Sequence, residues 1–293
     1  MSGATERGAD RLPTWLRRPS PLVASATGVR KLLRDQSLVT VCEEARCPNL
    51  GDCFSRGTAT FMILWDRCTR RCGYCAVSTA RPDPPDPGEP ERVAEAVVRL
   101  DLRYVVLTSV ARDDLRDGGA SHFARTIGAI RARRPSVRVE VLTPDFRGDL
   151  AALRVVTDAT PEVFNHNIET VPRLFPVVRA QGGYERSLLF LAKIKDVAPG
   201  QVTKSGLMVG LGERDDEIHA TLEDLREAQV DIVTIGQYLR PGRDHAPVER
   251  YVSPEQFEAL GTRARSLGFR TVHSGVFVRS SFHAEELAEE HCS

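Results

Sequence analysis

After residue 60 the chain falls into a rhythm that leaves few folds open to it. Short runs rich in Val, Ile, Leu and Thr alternate with longer amphipathic stretches. The β-like runs are residues 61–65, 104–109, 137–142, 163–168, 204–209 and 232–237. Between and after them, residues 91–100, 118–133, 150–156, 171–180, 185–197, 215–228 and 254–267 carry helical patterns. Residues 81–90 hold too many prolines to be anything but loop. Strand-then-helix alternation is the signature of repeated βα units on a parallel sheet. Polar residues stand at nearly every strand's C-terminal end, as Thr108-Ser109, Thr143, Asn165–Glu169 and Gln237. In barrels that end builds the active site. The expected fold is therefore α/β, a partial (β/α)6 TIM-type barrel over residues 57–267. Residues 1–56 form an N-terminal extension, in which residues 28–35 suit a short helix, and residues 268–293 a C-terminal segment.

Composition narrows the function. Forty basic residues balance forty acidic ones, and the pI is near 7.1. No overall positive field exists to draw in nucleic acid, and no basic tail to hold a membrane. The first residues lack the apolar core of a secretory signal. The most apolar runs fall far short of the ~20 residues that span a bilayer. The expectation is a cytoplasmic protein, where disulfides are rare and clustered cysteines more often bind metal or do redox chemistry.

Six of the seven cysteines fall into two triplets, Cys42-x4-Cys47-x5-Cys53 and Cys68-x3-Cys72-x2-Cys75. The second follows the first β-run directly, which places it on a loop above the barrel. Three thiolates hold three irons of a four-iron cluster, and iron–sulfur clusters normally take four cysteines. With no fourth cysteine nearby, one iron stays open. A zinc site is the alternative, but zinc wants a closed tetrahedral set that neither triplet supplies. The C-x3-C-x2-C pattern resembles that of the radical-SAM superfamily. The resemblance implies that the open iron chelates S-adenosylmethionine (SAM), and that an electron from the cluster breaks its C5′–S bond to give a 5′-deoxyadenosyl radical. Tyr74 then matches the aromatic position whose backbone meets the adenine.

The first triplet sits in Val41-Cys42-Glu43-Glu44-Ala45-Arg46-Cys47-Pro48-Asn49 and strongly resembles the lipoyl synthases. The likeness runs from about Leu12 to Phe282. It takes in GTATFMIL at 57–64, CTRRCGYCAV at 68–77, LTSVARDDLRDGG at 107–119, VFNHNIET at 163–170, KSGLMVGLGE at 204–213 and QYLRP at 237–241. Arg279-Ser280-Ser281-Phe282 stands where that family carries Arg-Ser-Ser-Tyr. The resemblance implies insertion of two sulfurs, at C6 and C8 of an octanoyl chain amide-linked to a lysine of a carrier domain, one SAM per insertion. It implies two 4Fe-4S clusters. Cys68, Cys72 and Cys75 would hold the SAM cluster. Cys42, Cys47 and Cys53 would hold an auxiliary cluster, consumed as the sulfur source, so that the N-terminal extension binds a cluster. The C-terminal segment would fold back to supply Ser281, or Ser280, as its fourth ligand. The implied partners are octanoylated lipoyl carrier domains, namely acyltransferase (E2) subunits of 2-oxoacid dehydrogenases and the H protein of glycine cleavage. A reduced ferredoxin or flavodoxin is the implied electron donor.

Read from the residues alone, a turn or helix N-cap is the favoured role of Ser280-Ser281, and only the resemblance makes a ligand of them. A serine alkoxide is a hard, poor ligand for iron, which suits a cluster that must come apart. Asn167, Glu169, Ser109 and, after them, Asp113 are candidate SAM contacts, with a polar network stabilising the barrel as the alternative. Arg70 and Arg71 face the cluster, the carrier or solvent. His166 reads as structural, because radical hydrogen abstraction needs no base, and Cys292 as unliganded. Gly210 and Gly212 let the chain turn after a strand rather than binding a dinucleotide. Phe282 in place of tyrosine, Trp65 where glycine is common and the absence of proline after Gly275 depart from the lipoyl synthase pattern. They leave open a paralogue that thiolates another acyl or peptide chain. A non-catalytic two-cluster electron carrier is the alternative from outside the enzymes.

Overall fold

The computed structural model describes residues 12–17, 31–44, 49, 59–282 and 284–286, with the side chains of Cys42 and Glu43 excepted. Eight strands form one sheet: β1 (Val39–Thr40), β2 (Ala59–Ile63), β5 (Tyr104–Ser109), β6 (Arg138–Leu142), β7 (Val163–Asn165), β8 (Val202–Val209), β9 (Ile232–Gln237) and β10 (Thr271–Gly275). A small second sheet pairs β3 (Arg67–Cys68) with β4 (Ser78–Thr79). From β2 to β10 every neighbouring pair in the main sheet is parallel. Strands β2 and β9 are buried along their whole length, as expected of a parallel sheet covered on both faces.

The crossover helices are Glu89–Arg99, Ala120–Arg133, Leu150–Asp158, Tyr184–Val197, Asp215–Glu227 and Pro254–Ser266. Their starts are written locally. Asp149 accepts from the backbone N–H of Ala151 at 2.8 Å and of Ala152 at 3.3 Å. Ser253 and Gln256 form a capping box with Pro254 at the first turn. One large apolar core joins these helices to the sheet.

The partial barrel stands as expected, with a strand added at each edge. Pairing Thr40 with Phe61 and Val39 with Met62, β1 lies antiparallel on β2. At the other edge β10 continues the parallel sheet from β9. Its sequence, Thr271–Gly275, carries too weak a β pattern to be read unaided; register against β9 supplies the missing stabilisation. Regular β7 stops at Asn165, and the chain pairs with β8 again at a bridge between Glu169 and Leu207. Residues 171–180 are not one helix: a 3-10 turn at Pro172–Leu174 leads into a short helix at Phe175–Val178. Pro172 and Pro176 remove backbone donors there. Gly210 and Gly212 take φ of +105° and +103°, the turn geometry expected of them. Trp65 has φ +70° directly after Leu64 at +67°. The glycine common at that position in the resembling family thus has a steric reason.

The barrel interior explains two further glycines. Its C-terminal segment turns back from β10 and runs inside the sheet. A Cβ at Gly236 would lie 2.1 Å from the Val278 carbonyl oxygen, and one at Gly206 2.5 Å from Ser280 Oγ. Further along, Ala284 is buried against Tyr104, Val106 and Val163. On that same inward face, Lys204 Nζ meets both carboxylate oxygens of Glu140, at 3.0 and 3.2 Å. Glu140 also accepts from Tyr104 and Asn165. Every charge in this floor is paired, as burial demands.

Candidate active site

Above that floor a cavity of about 510 Å³ opens at the C-terminal ends of the strands. Ligand pockets commonly have this size. Cys68, Cys72 and Cys75 all line it, half-buried. Their loop is tied down on each side. The Gly73 N–H donates to the Val178 carbonyl at 2.8 Å, and the Gly73 carbonyl accepts from Ala246 at 2.7 Å. His245 Nε2 hydrogen-bonds the Cys75 carbonyl at 3.1 Å. Arg70 lines the cavity but is not solvated. It is 5% exposed and bonds both carboxylate oxygens of Asp113, at 2.7 and 2.8 Å, and Asp145 at 2.6 Å. The guanidinium thereby joins the cysteine loop to the loops after β5 and β6, and holds the Asp145 carboxyl well below the usual range despite its burial. Asp113 is engaged in this clamp and does not line the cavity. Arg71 is exposed, and only its backbone N–H has a partner, Gln181.

Burial pushes the Cys72 thiol up and the Cys75 thiol to about 12. Thiols so placed stay protonated until a metal takes them, whereupon they bind as thiolates. Among the described residues no three Cys, His, Asp or Glu converge on a single ion. The loop instead spreads three sulfurs around one space. Ser109 Oγ and Thr143 Oγ1 are buried with no partner and line the same cavity. Orphaned polar atoms of this kind call for a guest. Burial also raises the pKa of Glu169, against the pull of Arg179 and of its bond from Asn167. Glu169 has φ +70°, a strained backbone that places its side chain at the cavity wall. Tyr74, Ser109, Asn167 and Glu169 are thus brought together with the three cysteines. Soft thiolates, neutral polar donors and one acceptor fit an iron–sulfur cluster with a polar organic cosubstrate beside it.

Val278–Phe282 close the opposite wall. Ser280 Oγ donates to Asn167 Oδ1 at 2.8 Å. Ser281 also lines the cavity, and its hydroxyl has no described partner. Asn49, fully buried, donates from Nδ2 to the Phe277 carbonyl at 2.6 Å. It lines the same cavity together with Val41. The backbone of Cys42 lies in the short helix Val41–Glu44. Cys47, Cys53 and Cys292 lie outside the described residues. His166 is structural, as expected: it meets the Thr143 carbonyl at 2.9 Å and Ser187 Oγ at 3.1 Å. Burial lowers its pKa to about 3.

Sequence reasoning missed Arg179, His245 and Asn49. Arg179 lines the cavity, 8% exposed, and donates to the Asn167 carbonyl at 2.8 Å. It sits in a segment with no motif of its own. His245 had only loop composition around it. Asn49, inside the cysteine-rich motif, was the one with a signal.

Comparison with known proteins bears on this geometry. The radical SAM superfamily model matches residues 62–225, and the model for the N-terminal domain of lipoyl synthase matches residues 3–47. The lipoyl synthase of Methylococcus capsulatus is 55% identical over 95% of this chain and 87% of its own length. That of Rubrobacter xylanophilus is 54% identical over 97% and 89%. The chain belongs to the lipoyl synthase family. It is therefore a sulfurtransferase of the radical SAM type, for which SAM and a 4Fe-4S cluster are expected. Among solved structures, the FeFe-hydrogenase maturase HydG superposes with a TM-score of 0.58 at 14% identity, covering 90% of this chain and 70% of its own. Streptococcus suis SuiB gives 0.56 at 10%, covering 89% and 55%. At such identities these likenesses show the shared fold alone. Among the described residues no helix is long and apolar enough to cross a membrane.

Proposed function

We propose that this member of the lipoyl synthase family inserts sulfur at C6 and C8 of an octanoyl chain borne by a lipoyl carrier domain, and that each side of the cavity serves one half of the reaction. Cys68, Cys72 and Cys75 hold the SAM-cleaving cluster. Tyr74, Ser109, Asn167 and Glu169 bind SAM beside it. Cys42, Cys47 and Cys53, with Ser281, hold a second 4Fe-4S cluster. When bound, the first group supplies reductive cleavage of SAM to a hydrogen-abstracting radical, and the second supplies sulfide.

What the chain's own residues do follows from their placement. Met62, Val110, Leu142, Met208 and Leu239 give the cavity an apolar lining suited to an alkyl chain. That lining also keeps water from a reactive radical. The Arg70 clamp holds the cysteine loop to the barrel, so the cosubstrate meets a fixed geometry. The observation that carries the reading is the Ser281 hydroxyl, unengaged and facing the same cavity as the three thiols. Asn49, which stands between Cys47 and Cys53 in the sequence, supports it by its bond to the Phe277 carbonyl of the C-terminal segment. Suitable partners are octanoylated E2 and glycine-cleavage H domains, with reduced ferredoxin or flavodoxin as electron donor.

The test is anaerobic iron and sulfide analysis with Mössbauer spectra, on wild type and on a Cys68/Cys72/Cys75→Ala variant. About eight irons should fall to about four, with SAM cleavage abolished. Zinc in place of iron, or loss of all iron in the variant, defeats the two-cluster reading. With octanoylated carrier and reductant, about two 5′-deoxyadenosines should form per lipoyl group. SAM cleavage that leaves no sulfur in the carrier defeats the substrate assignment.

A further inference from the structure

The two neighbouring serines of the C-terminal segment are in different situations. Ser281 has no described partner, whereas Ser280 is committed: its Oγ lies 2.8 Å from Asn167 Oδ1. The other end of the Asn167 amide donates from Nδ2 to Glu169 Oε1 at 3.1 Å. A carboxylate only accepts, so the amino end of Asn167 must face Glu169. That leaves the carbonyl end toward Ser280, whose hydroxyl must therefore donate.

The niche that holds this pair is built for it. At Gly206 on β8 a Cβ would lie 2.5 Å from Ser280 Oγ and 2.7 Å from Asn167 Oδ1. Any other residue there would push the two apart. Asn167 is further pinned through its own carbonyl by Arg179 at 2.8 Å. After these bonds the Asn167 amide keeps one N–H and one lone pair for a guest in the cavity.

We infer that Ser280 is a positioning residue for SAM, holding the Asn167 amide in one orientation and so tying the C-terminal segment to the SAM end of the cavity. The inference rests on the reading that Asn167 and Glu169 contact SAM. It gives the adjacent serines separate tasks: Ser281 serves the second cluster, and Ser280 the cosubstrate. Without the Ser280 hydroxyl the amide is free to turn, and a bound SAM must pay for holding it.

The test uses full-length protein reconstituted anaerobically with iron and sulfide. SAM affinity is measured by titration calorimetry, and the clusters by Mössbauer spectroscopy. Ser280→Ala should weaken SAM binding roughly three- to tenfold, the usual worth of one orienting hydrogen bond, while the second cluster's spectrum is unchanged. Gly206→Ala should weaken SAM binding in the same direction with both serines retained. Ser281→Ala should do the reverse of Ser280→Ala, altering the second cluster's spectrum and sparing SAM affinity. Wild-type protein that binds no SAM overturns the functional reading and this inference together. Wild-type affinity in Ser280→Ala overturns this inference alone, as does a changed second-cluster spectrum in that variant.

Discussion

The two walls of the cavity are held in different ways. On one side the loop carrying Cys68, Cys72 and Cys75 is locked by a buried guanidinium shared between two carboxylates, and by backbone bonds to Val178 and Ala246. On the other, Val278–Phe282 lies on two glycines, and hydrogen bonds from Asn49 to Phe277 and from Ser280 to Asn167 help hold it. Charge-assisted bonds across three loops make a rigid mount. A segment seated by close approach and a few neutral bonds opens at lower cost. The first arrangement suits a cluster that stays through every turnover. The second suits the role proposed for the cluster of Cys42, Cys47 and Cys53, which gives up its sulfur.

Breaking the rigid wall should have the largest effect. Arg70→Ala leaves Asp113 unpaired and Asp145 with Arg186 alone. Urea unfolding should show a loss of about 3 kcal/mol, the scale for removing one partner of a buried pair. A loss under about 1 kcal/mol would mean that the clamp is not what holds the loop. On the other wall, Gly236→Ala drives a methyl group toward the Val278 carbonyl and should cost about 2 kcal/mol. Because the segment yields before the barrel does, hydrogen exchange should rise in residues 276–286 with the β5 and β6 amides still protected. Uniform loss of protection would erase the contrast between the walls.

His166 lies beneath both walls, and it should make stability depend on pH. Its folded pKa is lowered to about 3, so the folded chain holds a neutral imidazole where the unfolded chain takes a proton below about 6.5. Stability from this group is therefore full above pH 6.5 and falls as the pH drops toward 3. The slope is about 1.4 kcal/mol per pH unit, or roughly 2 kcal/mol between pH 6.5 and 5. His166→Gln should flatten that slope, at the cost of a lower plateau. An unchanged slope would place the titration elsewhere. The smallest effect belongs to Trp65, where the cysteine loop leaves β2. Trp65→Gly relieves a left-handed backbone but loses the indole bond to the Pro84 carbonyl. Thermal unfolding should report a gain of no more than about 1 kcal/mol. A clear loss would show that the indole anchors the loop.

Much of the molecule was legible from its sequence, for physical reasons. Six strands and their helices announce themselves because burial on both faces demands continuous apolar runs, and helix starts demand caps such as Asp149 and Ser253. The cysteine triplet at 68–75 is legible because an iron–sulfur cluster needs thiolates at loop spacing, and the polar strand ends because a barrel puts its chemistry there. Tertiary structure alone decided that Arg70 is a clamp, that Asp113 and Asp145 are its partners, and that Arg179 reaches the site. It also decided that β10 joins the sheet, that Gly206 and Gly236 make way for the C-terminal segment, and that Ser280 is engaged where Ser281 is not. Most of these facts depend on which residues meet across distant parts of the chain, as Asn49 and Phe277 do at a separation of 228. Local pattern records what a residue needs; only packing decides which neighbour supplies it.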